Sequence, residues 1–155
     1  MRRPYSGATF GSVSLNIGPR TVCFPHRDIA DLVYGICVDA AFGPFDHTRG
    51  GHLILHEARI VLEMRPGRMV IFPSAAITHE NIPIGLEEER FGITAYIAAG
   101  FWRFLAQGQQ TREIWMLNDL ESVAMHDAAG SERWQEGCLW FKTMAELKAC
   151  WQGNA

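Results

Sequence analysis

The run His26-Arg27-Asp28 places an imidazole and a carboxylate two residues apart. On an extended chain alternate side chains share a face, so His26 and Asp28 converge on one point while Arg27 turns away. Pro25 restricts Phe24 to extended backbone and stiffens the approach. A third ligand must arrive from elsewhere in the fold. His79, within Thr78-His79-Glu80-Asn81, sits on a later strand-like run. Two histidines and one carboxylate on one face of an octahedron leave three positions open, the arrangement of non-haem Fe(II) oxygenases. A 2-oxoacid occupies two of these positions and O2 the last. A structural zinc site would instead be closed by four protein ligands.

His-x-Asp alone is a common pairing, and the residues beyond His79 give it meaning. Arg90 lies 11 residues further on and opens the run Arg90-Phe91-Gly92-Ile93-Thr94-Ala95-Tyr96. An arginine one strand beyond the distal histidine presents a planar fork suited to the far end of a dicarboxylate. Its competing reading is a surface salt bridge with Glu87, Glu88 or Glu89. Alternation puts Arg90, Gly92, Thr94 and Tyr96 on one face. Phe91, Ile93, Ala95 and Ile97 fall on the other, which reads as core. Among the remaining histidines, His52 opens a strand after Gly50-Gly51 and can face the site, with His56 on the same side. His47 and His126 read as solvent-exposed turn residues.

These side chains need a scaffold of short strands. Before about residue 105, apolar runs alternate with Gly/Pro turns. The expected strands are Ser12 to Ile17, Thr21 to Phe24, Tyr34 to Ala41, His52 to His56, Ile60 to Met64, Met69 to Phe72, Thr78 to Ile84 and Arg90 to Ala98. Pro66-Gly67 is a turn signal, and Gly51 gives the backbone freedom before a strand. Beyond residue 105 the pattern turns helical. Thr143-Met144-Ala145-Glu146 fits a capping box, followed by Leu147 and Trp151 at helical spacing. Trp115, Trp134, Trp140 and Trp151 are expected to pack as helices cover the sheet. The architecture expected is mainly β: a double-stranded β-helix (jelly-roll or cupin-like) core at about 12–105, with a helical tail at about 106–155, together one domain over 1–155.

Composition sets outer limits. The 155 residues suffice for one domain with a sizeable core. Hydrophobic content of 48% with 20% charged residues is that of an ordinary globular chain. No run is long enough for a membrane span, and no apolar stretch comes after the opening arginines as a signal peptide would require. Cys23, Cys37, Cys138 and Cys150 form no Cys-x-x-Cys pair, which points to reduced thiols in an intracellular protein. A net charge of −3 argues against a dedicated nucleic-acid binder with a basic field, but not against an enzyme that touches DNA through a local patch.

Taken in order, the motifs carry a family resemblance. They are Asn16-Ile17-Gly18-Pro19, His26-Arg27-Asp28, Gly35-Ile36-Cys37, Gly50-Gly51-His52-Leu53, Pro66-Gly67, Pro73-Ser74-Ala75, His79-Glu80-Asn81-Ile82 and Glu89-Arg90. The string resembles the TET/JBP family of Fe(II)/2-oxoglutarate-dependent nucleic-acid base dioxygenases, and more narrowly its fungal, transposon-associated branch. The similarity runs from Asn16 to about Arg103. It continues in Arg133-Trp134-Gln135-Glu136-Gly137 and in Phe141 to Leu147.

The resemblance implies a double-stranded β-helix that oxidises a methyl group on a nucleobase using Fe(II), 2-oxoglutarate and O2. His26, Asp28 and His79 match the iron ligands and Arg90 the arginine that grips 2-oxoglutarate. His52 matches a histidine that contacts the cosubstrate, and Tyr96 an aromatic that stacks on a flipped base. It implies DNA as partner, a nuclear location and 5-methylcytosine as first substrate, with N6-methyladenine, thymine or an RNA base as alternatives. Gly92 stands where the family usually has serine, which removes a hydroxyl contact to 2-oxoglutarate. Asp31 stands where asparagine is frequent; it would border the base's polar edge, where it can accept from an exocyclic amine but cannot donate. Two other functions remain open: the same chemistry on a small molecule or protein, and a non-catalytic cupin-like binding module.

Overall fold

The computed structural model describes residues 9–152. The described residues form two compact units, one ending at Ala106 and the other beginning at Gln107. The first unit carries seven strands: β1 (Ser12–Asn16), β2 (Cys37–Phe42), β3 (Leu53–Leu55), β4 (Ile60–Leu62), β5 (Met69–Phe72), β6 (His79–Asn81) and β7 (Phe91–Tyr96). They pair in two antiparallel sheets, ordered β1-β7-β2-β5 and β4-β3-β6. The unit closes with helix α1 (Ala99–Ala106).

Local sequence explains most of these boundaries. Between β4 and β5, Pro66 and Gly67 occupy the central positions of a turn closed by the Arg68 amide on the Arg65 carbonyl, 2.9 Å. Gly67 has φ +82°, which a type II turn requires at its third residue. Gly51, at φ +72°, lets the chain enter β3 beside Phe45, whose ring would lie 2.7 Å from any added Cβ. Cys37, Ala41 and Phe72 of one sheet meet Leu53 and Leu55 of the other, with Phe45 and Met64, in a single buried cluster. Burying side chains of this kind stabilises the unit by roughly 1.5–3 kcal/mol for each large apolar residue.

Three expectations need correction. The segment from Thr21 to Phe24 is not a regular strand. It is held by isolated bonds, and at its end His26 forms an antiparallel bridge with His79, so the chain lies beside β6 as an irregular fourth member of the smaller sheet. Second, the faces of β7 are reversed relative to the hydrophobic reading. Arg90 is 3% exposed and Gly92 is buried, whereas Ile93 is 39% exposed. The inward face is polar because a cavity lies between the sheets. Third, helical residues outnumber strand residues, so the described chain is mixed α and β rather than mainly β.

The second unit contains α2 (Arg112–Asn118), α3 (Leu120–Ala128), α4 (Gly130–Cys138) and α5 (Met144–Gln152). The capping box forms as expected. Thr143 donates both its amide and its hydroxyl to the Glu146 carboxylate at 2.6 and 2.8 Å, and the Glu146 amide donates back to the Thr143 hydroxyl at 3.3 Å. His126 lies within α3 rather than in a turn, its ring edge-on to Trp115 at 5.3 Å. Trp134, Trp140 and Trp151 are exposed. Among the described residues no helix is long and apolar enough to cross a membrane.

Candidate metal centre

His26 and His79 are brought together by backbone pairing. The His26 amide donates to the His79 carbonyl at 3.0 Å and the His79 amide donates back at 2.9 Å. Opposed residues in an antiparallel pair send their side chains to the same face. The two rings accordingly lie 4.3 Å apart between centroids. Two residues further on, the Asp28 amide is anchored to the carbonyl of buried Ser74 at 3.2 Å. This turns the carboxylate back toward both imidazoles: Oδ1 is 3.5 Å from His26 Nε2 and Oδ2 is 3.9 Å from His79 Nε2. One ligand atom from each residue falls within 4.8 Å of the others, a grouping able to hold a metal ion.

The remaining ring nitrogens decide whether this donor set suits a metal. His26 Nδ1 lies 2.7 Å from the Phe24 carbonyl and His79 Nδ1 lies 3.0 Å from the Ile77 carbonyl. A carbonyl oxygen only accepts, so each Nδ1 carries the proton and each Nε2 keeps its lone pair for a ligand bond. Fixing the tautomer from outside is how ligating histidines are generally prepared. Phe72 packs edge-on to His79 at 4.9 Å and limits its rotation.

Outside the cavity a polar cluster straps the two ligand-bearing segments together. Arg27 donates from Nε to the Thr78 hydroxyl at 3.0 Å and from Nη2 to Glu57 at 2.9 Å. Glu57 also accepts the Thr78 amide and hydroxyl at 2.7 and 2.8 Å. These bonds, led by the Thr78 hydroxyl, hold the Glu57 carboxyl down at about 2. On the inner side, buried Asn81 accepts the Cys23 amide at 2.7 Å and donates to the Thr21 carbonyl at 3.3 Å. It thereby clamps the irregular segment against β6.

His26, Asp28, His79, Arg90, Asp31 and Tyr96 all line one cavity of about 540 Å³. Arg90 reaches it from the residue just before β7. Its Nη1 donates to the Thr21 carbonyl at 3.4 Å, while Nε is buried with no partner among the described residues. Burial pulls the Arg90 guanidinium below its usual range, against the opposing effect of Asp39 and Cys23. An unpaired buried donor is costly, and an incoming carboxylate would relieve it. The surface salt bridge considered for Arg90 does not form.

Asp31 reaches the cavity because its loop is stitched to the end of β7, through a bridge with Ala98 and a 2.8 Å bond from the Leu32 amide to the Ile97 carbonyl. Burial and the neighbouring Asp28 charge push its carboxyl up to about 6. The Tyr96 hydroxyl sits 3.2 Å from Ser14 Oγ. His52 is not brought to this cavity. Leu53 and Leu55 take the inward positions of β3, and Leu53, not His52, lines the space.

Asp39 was missed by reasoning from the sequence. It lines the cavity and accepts from the Thr94 hydroxyl at 3.2 Å. Burial pushes its carboxyl upward, against the pull of Arg90 and of that hydrogen bond. A single acid inside the apolar run Cys37 to Phe42 was the available signal, since an unpaired charge is rarely placed in a core strand without a reason.

The class that fold and site define is a pair of antiparallel sheets enclosing a two-histidine, one-carboxylate centre. Sixteen solved chains match this one. Among them is NgTET1 in complex with 5mC DNA, with a TM-score of 0.50 and 21% identity, over 58% of this chain. The match spans 34% of the NgTET1 chain, and at that identity the likeness concerns the fold, which is TET-like. No protein-family model matches the chain, and no curated protein does.

Proposed function

We propose that this chain is an Fe(II)- and 2-oxoglutarate-dependent dioxygenase that hydroxylates a methyl group on a nucleobase, with 5-methylcytosine in DNA as first substrate. In this reading the whole chain is one dioxygenase domain of the TET/JBP kind, in its fungal, transposon-associated branch. Its core is a double-stranded β-helix. The strand order supports that architecture: with the irregular segment ending at His26 counted beside β6, each sheet has four members, and the chain alternates between them except at the β3–β4 hairpin, which stays in the smaller sheet.

One observation carries the reading. Three ligand atoms converge at a cavity wall with both histidine tautomers preset, and the same cavity holds a buried arginine with an unpaired Nε. His26, Asp28 and His79 would hold Fe(II). Bound there, the metal would activate O2, the oxidant of the reaction: one oxygen atom would enter succinate as 2-oxoglutarate loses CO2, and the other would convert the methyl group to hydroxymethyl. Arg90 binds the far carboxylate of 2-oxoglutarate and fixes its orientation. The buried residues around it, Leu53 and Phe72 among them, exclude water. Asp31 and Tyr96 border the base, Asp31 accepting from an exocyclic amine and Tyr96 offering its ring face. N6-methyladenine and thymine are the competing bases.

The test is succinate formation by the Fe(II)-loaded protein, with and without a methylated duplex, alongside mass analysis of the bases. Succinate matched by hydroxymethyl base supports the reading. A second reading, the same chemistry on a small molecule or protein, is favoured by the acidic lining at Asp31 and Asp39, which suits a cationic substrate. Turnover that methylated DNA does not stimulate would select it. Absence of any 2-oxoglutarate turnover would leave a binding module.

A further inference from the structure

We infer that Asn16 supplies a second hydrogen-bond donor to the carboxylate that Arg90 holds, from the space left by the missing side chain at Gly92. The inference rests on reading this cavity as the 2-oxoglutarate site.

The strand register creates the position. Arg90, Gly92, Thr94 and Tyr96 all line the cavity, but residue 92 contributes no side chain to it. Across the ladder, Asn16 of β1 is the register partner of Gly92 and also lines the cavity. A Cβ built on Gly92 would stand 3.6 Å from both Asn16 Cβ and Asn16 Nδ2. The Asn16 amide therefore lies in van der Waals contact with the point where a side chain two residues beyond Arg90 would begin.

Asn16 and Arg90 are also tied together. Arg90 Nη1 donates to the Thr21 carbonyl at 3.4 Å, and the Thr21 hydroxyl donates to the Asn16 carbonyl at 3.4 Å. The Thr21 amide donates to the Arg90 carbonyl at 3.2 Å. Thr21 thus fixes the end of β1 against the start of β7, which holds the Asn16 backbone beside that of Arg90.

The chemistry calls for such a donor. A carboxylate offers about four acceptor positions, and a guanidinium fork fills two of them. Lone pairs left bare beside the buried Arg90 are costly. A neutral amide can satisfy one without adding a second positive charge beside Arg90.

The experiment titrates 2-oxoglutarate into anaerobic Fe(II)-loaded protein and reads its dissociation constant, with no turnover required. Asn16→Ala should weaken binding by about 5- to 50-fold, while iron affinity and melting temperature stay at wild-type values. Gly92→Ser introduced into Asn16→Ala should recover most of the loss, because a hydroxyl then projects from β7 into the same space. The added Cβ meets only ordinary contacts, and Gly92 has no positive φ, so the fold accommodates it. Asn16→Ala binding within twofold of wild type, with Arg90→Ala binding lost, overturns the inference and leaves the reading of the cavity standing. A loss in Asn16→Ala that Gly92→Ser does not recover, accompanied by lower iron affinity, also overturns it, since the role would then be structural. If wild type does not bind 2-oxoglutarate, or Arg90→Ala binds it as wild type does, the reading of the cavity falls and the inference with it.

Discussion

His26 and His79 are partners in one antiparallel bridge, with amide-to-carbonyl bonds of 3.0 and 2.9 Å running both ways. The convergence of the two candidate metal ligands is thus written into backbone pairing. Each ring then needs only its Nδ1 bond to a carbonyl two residues back to aim Nε2 inward.

His26→Ala, Asp28→Ala and His79→Ala are each expected to abolish Fe(II) binding, because each removes one of the three protein ligands proposed. His79 is 8% exposed and packs on Phe72, so its loss should also lower the melting temperature. His26 and Asp28 are more open and should cost little stability. Iron content after anaerobic loading, with circular dichroism for the fold, checks this. A variant that retains a full complement of iron removes that residue from the centre.

Arg90→Ala is expected to raise the 2-oxoglutarate requirement by about 10- to 100-fold, the worth of a bidentate charged bond. Arg90→Lys should recover only part of this, since an ammonium cannot reproduce the planar fork. The cosubstrate constant from succinate formation is the measurement. An unchanged constant in Arg90→Ala would end the assignment.

The Arg27–Glu57–Thr78 strap should act on the metal centre from outside. Glu57→Gln is expected to lower Fe(II) affinity by roughly 10-fold, the low end for residues that orient ligands. Its pH dependence has a definite sign. Glu57 titrates near 4.5 when free and at about 2 in the fold. Its contribution to stability is therefore fully present above the free value and lost as pH falls toward the folded one. The stability gap between wild type and Glu57→Gln should be flat near neutrality and close in acid. A gap that widens on acidification would contradict the depressed value.

Tyr96 and Asp31 test the substrate. Tyr96→Ala should reduce turnover of a methylated duplex by roughly 5- to 150-fold if its ring stacks on a flipped base. Tyr96→Phe keeps the ring but loses the bond to Ser14, so its effect should be a few-fold at most. Asp31→Asn removes a charge close to where phosphates would pass, and DNA turnover should hold or rise. Steady-state oxidation of the duplex, with uncoupled succinate formation as control, reads all three. If Tyr96→Ala lowers coupled and uncoupled turnover alike, the base does not bind there.

The sequence by itself determined what depends on near neighbours in the chain. His-x-Asp on extended backbone, the Pro66-Gly67 turn and the Thr143–Glu146 capping box are local, and each residue carries its own steric or hydrogen-bonding instruction. Strands such as β5 were legible as short apolar runs bounded by turns. The tertiary structure alone decided which face of β7 turned inward. Hydrophobic alternation favoured Phe91 and Ile93, but the interior here is a cavity into which Arg90, Thr94 and Tyr96 are turned, and the burial rule reverses where a site replaces part of a core. It also decided that Leu53 rather than His52 lines that cavity, that Asp39 enters it, and that Asn16 stands across from Gly92. Those outcomes depend on strand register and on how two sheets pack, and register is set by pairings between segments far apart in the chain, where a slip of one residue sends every side chain to the opposite face.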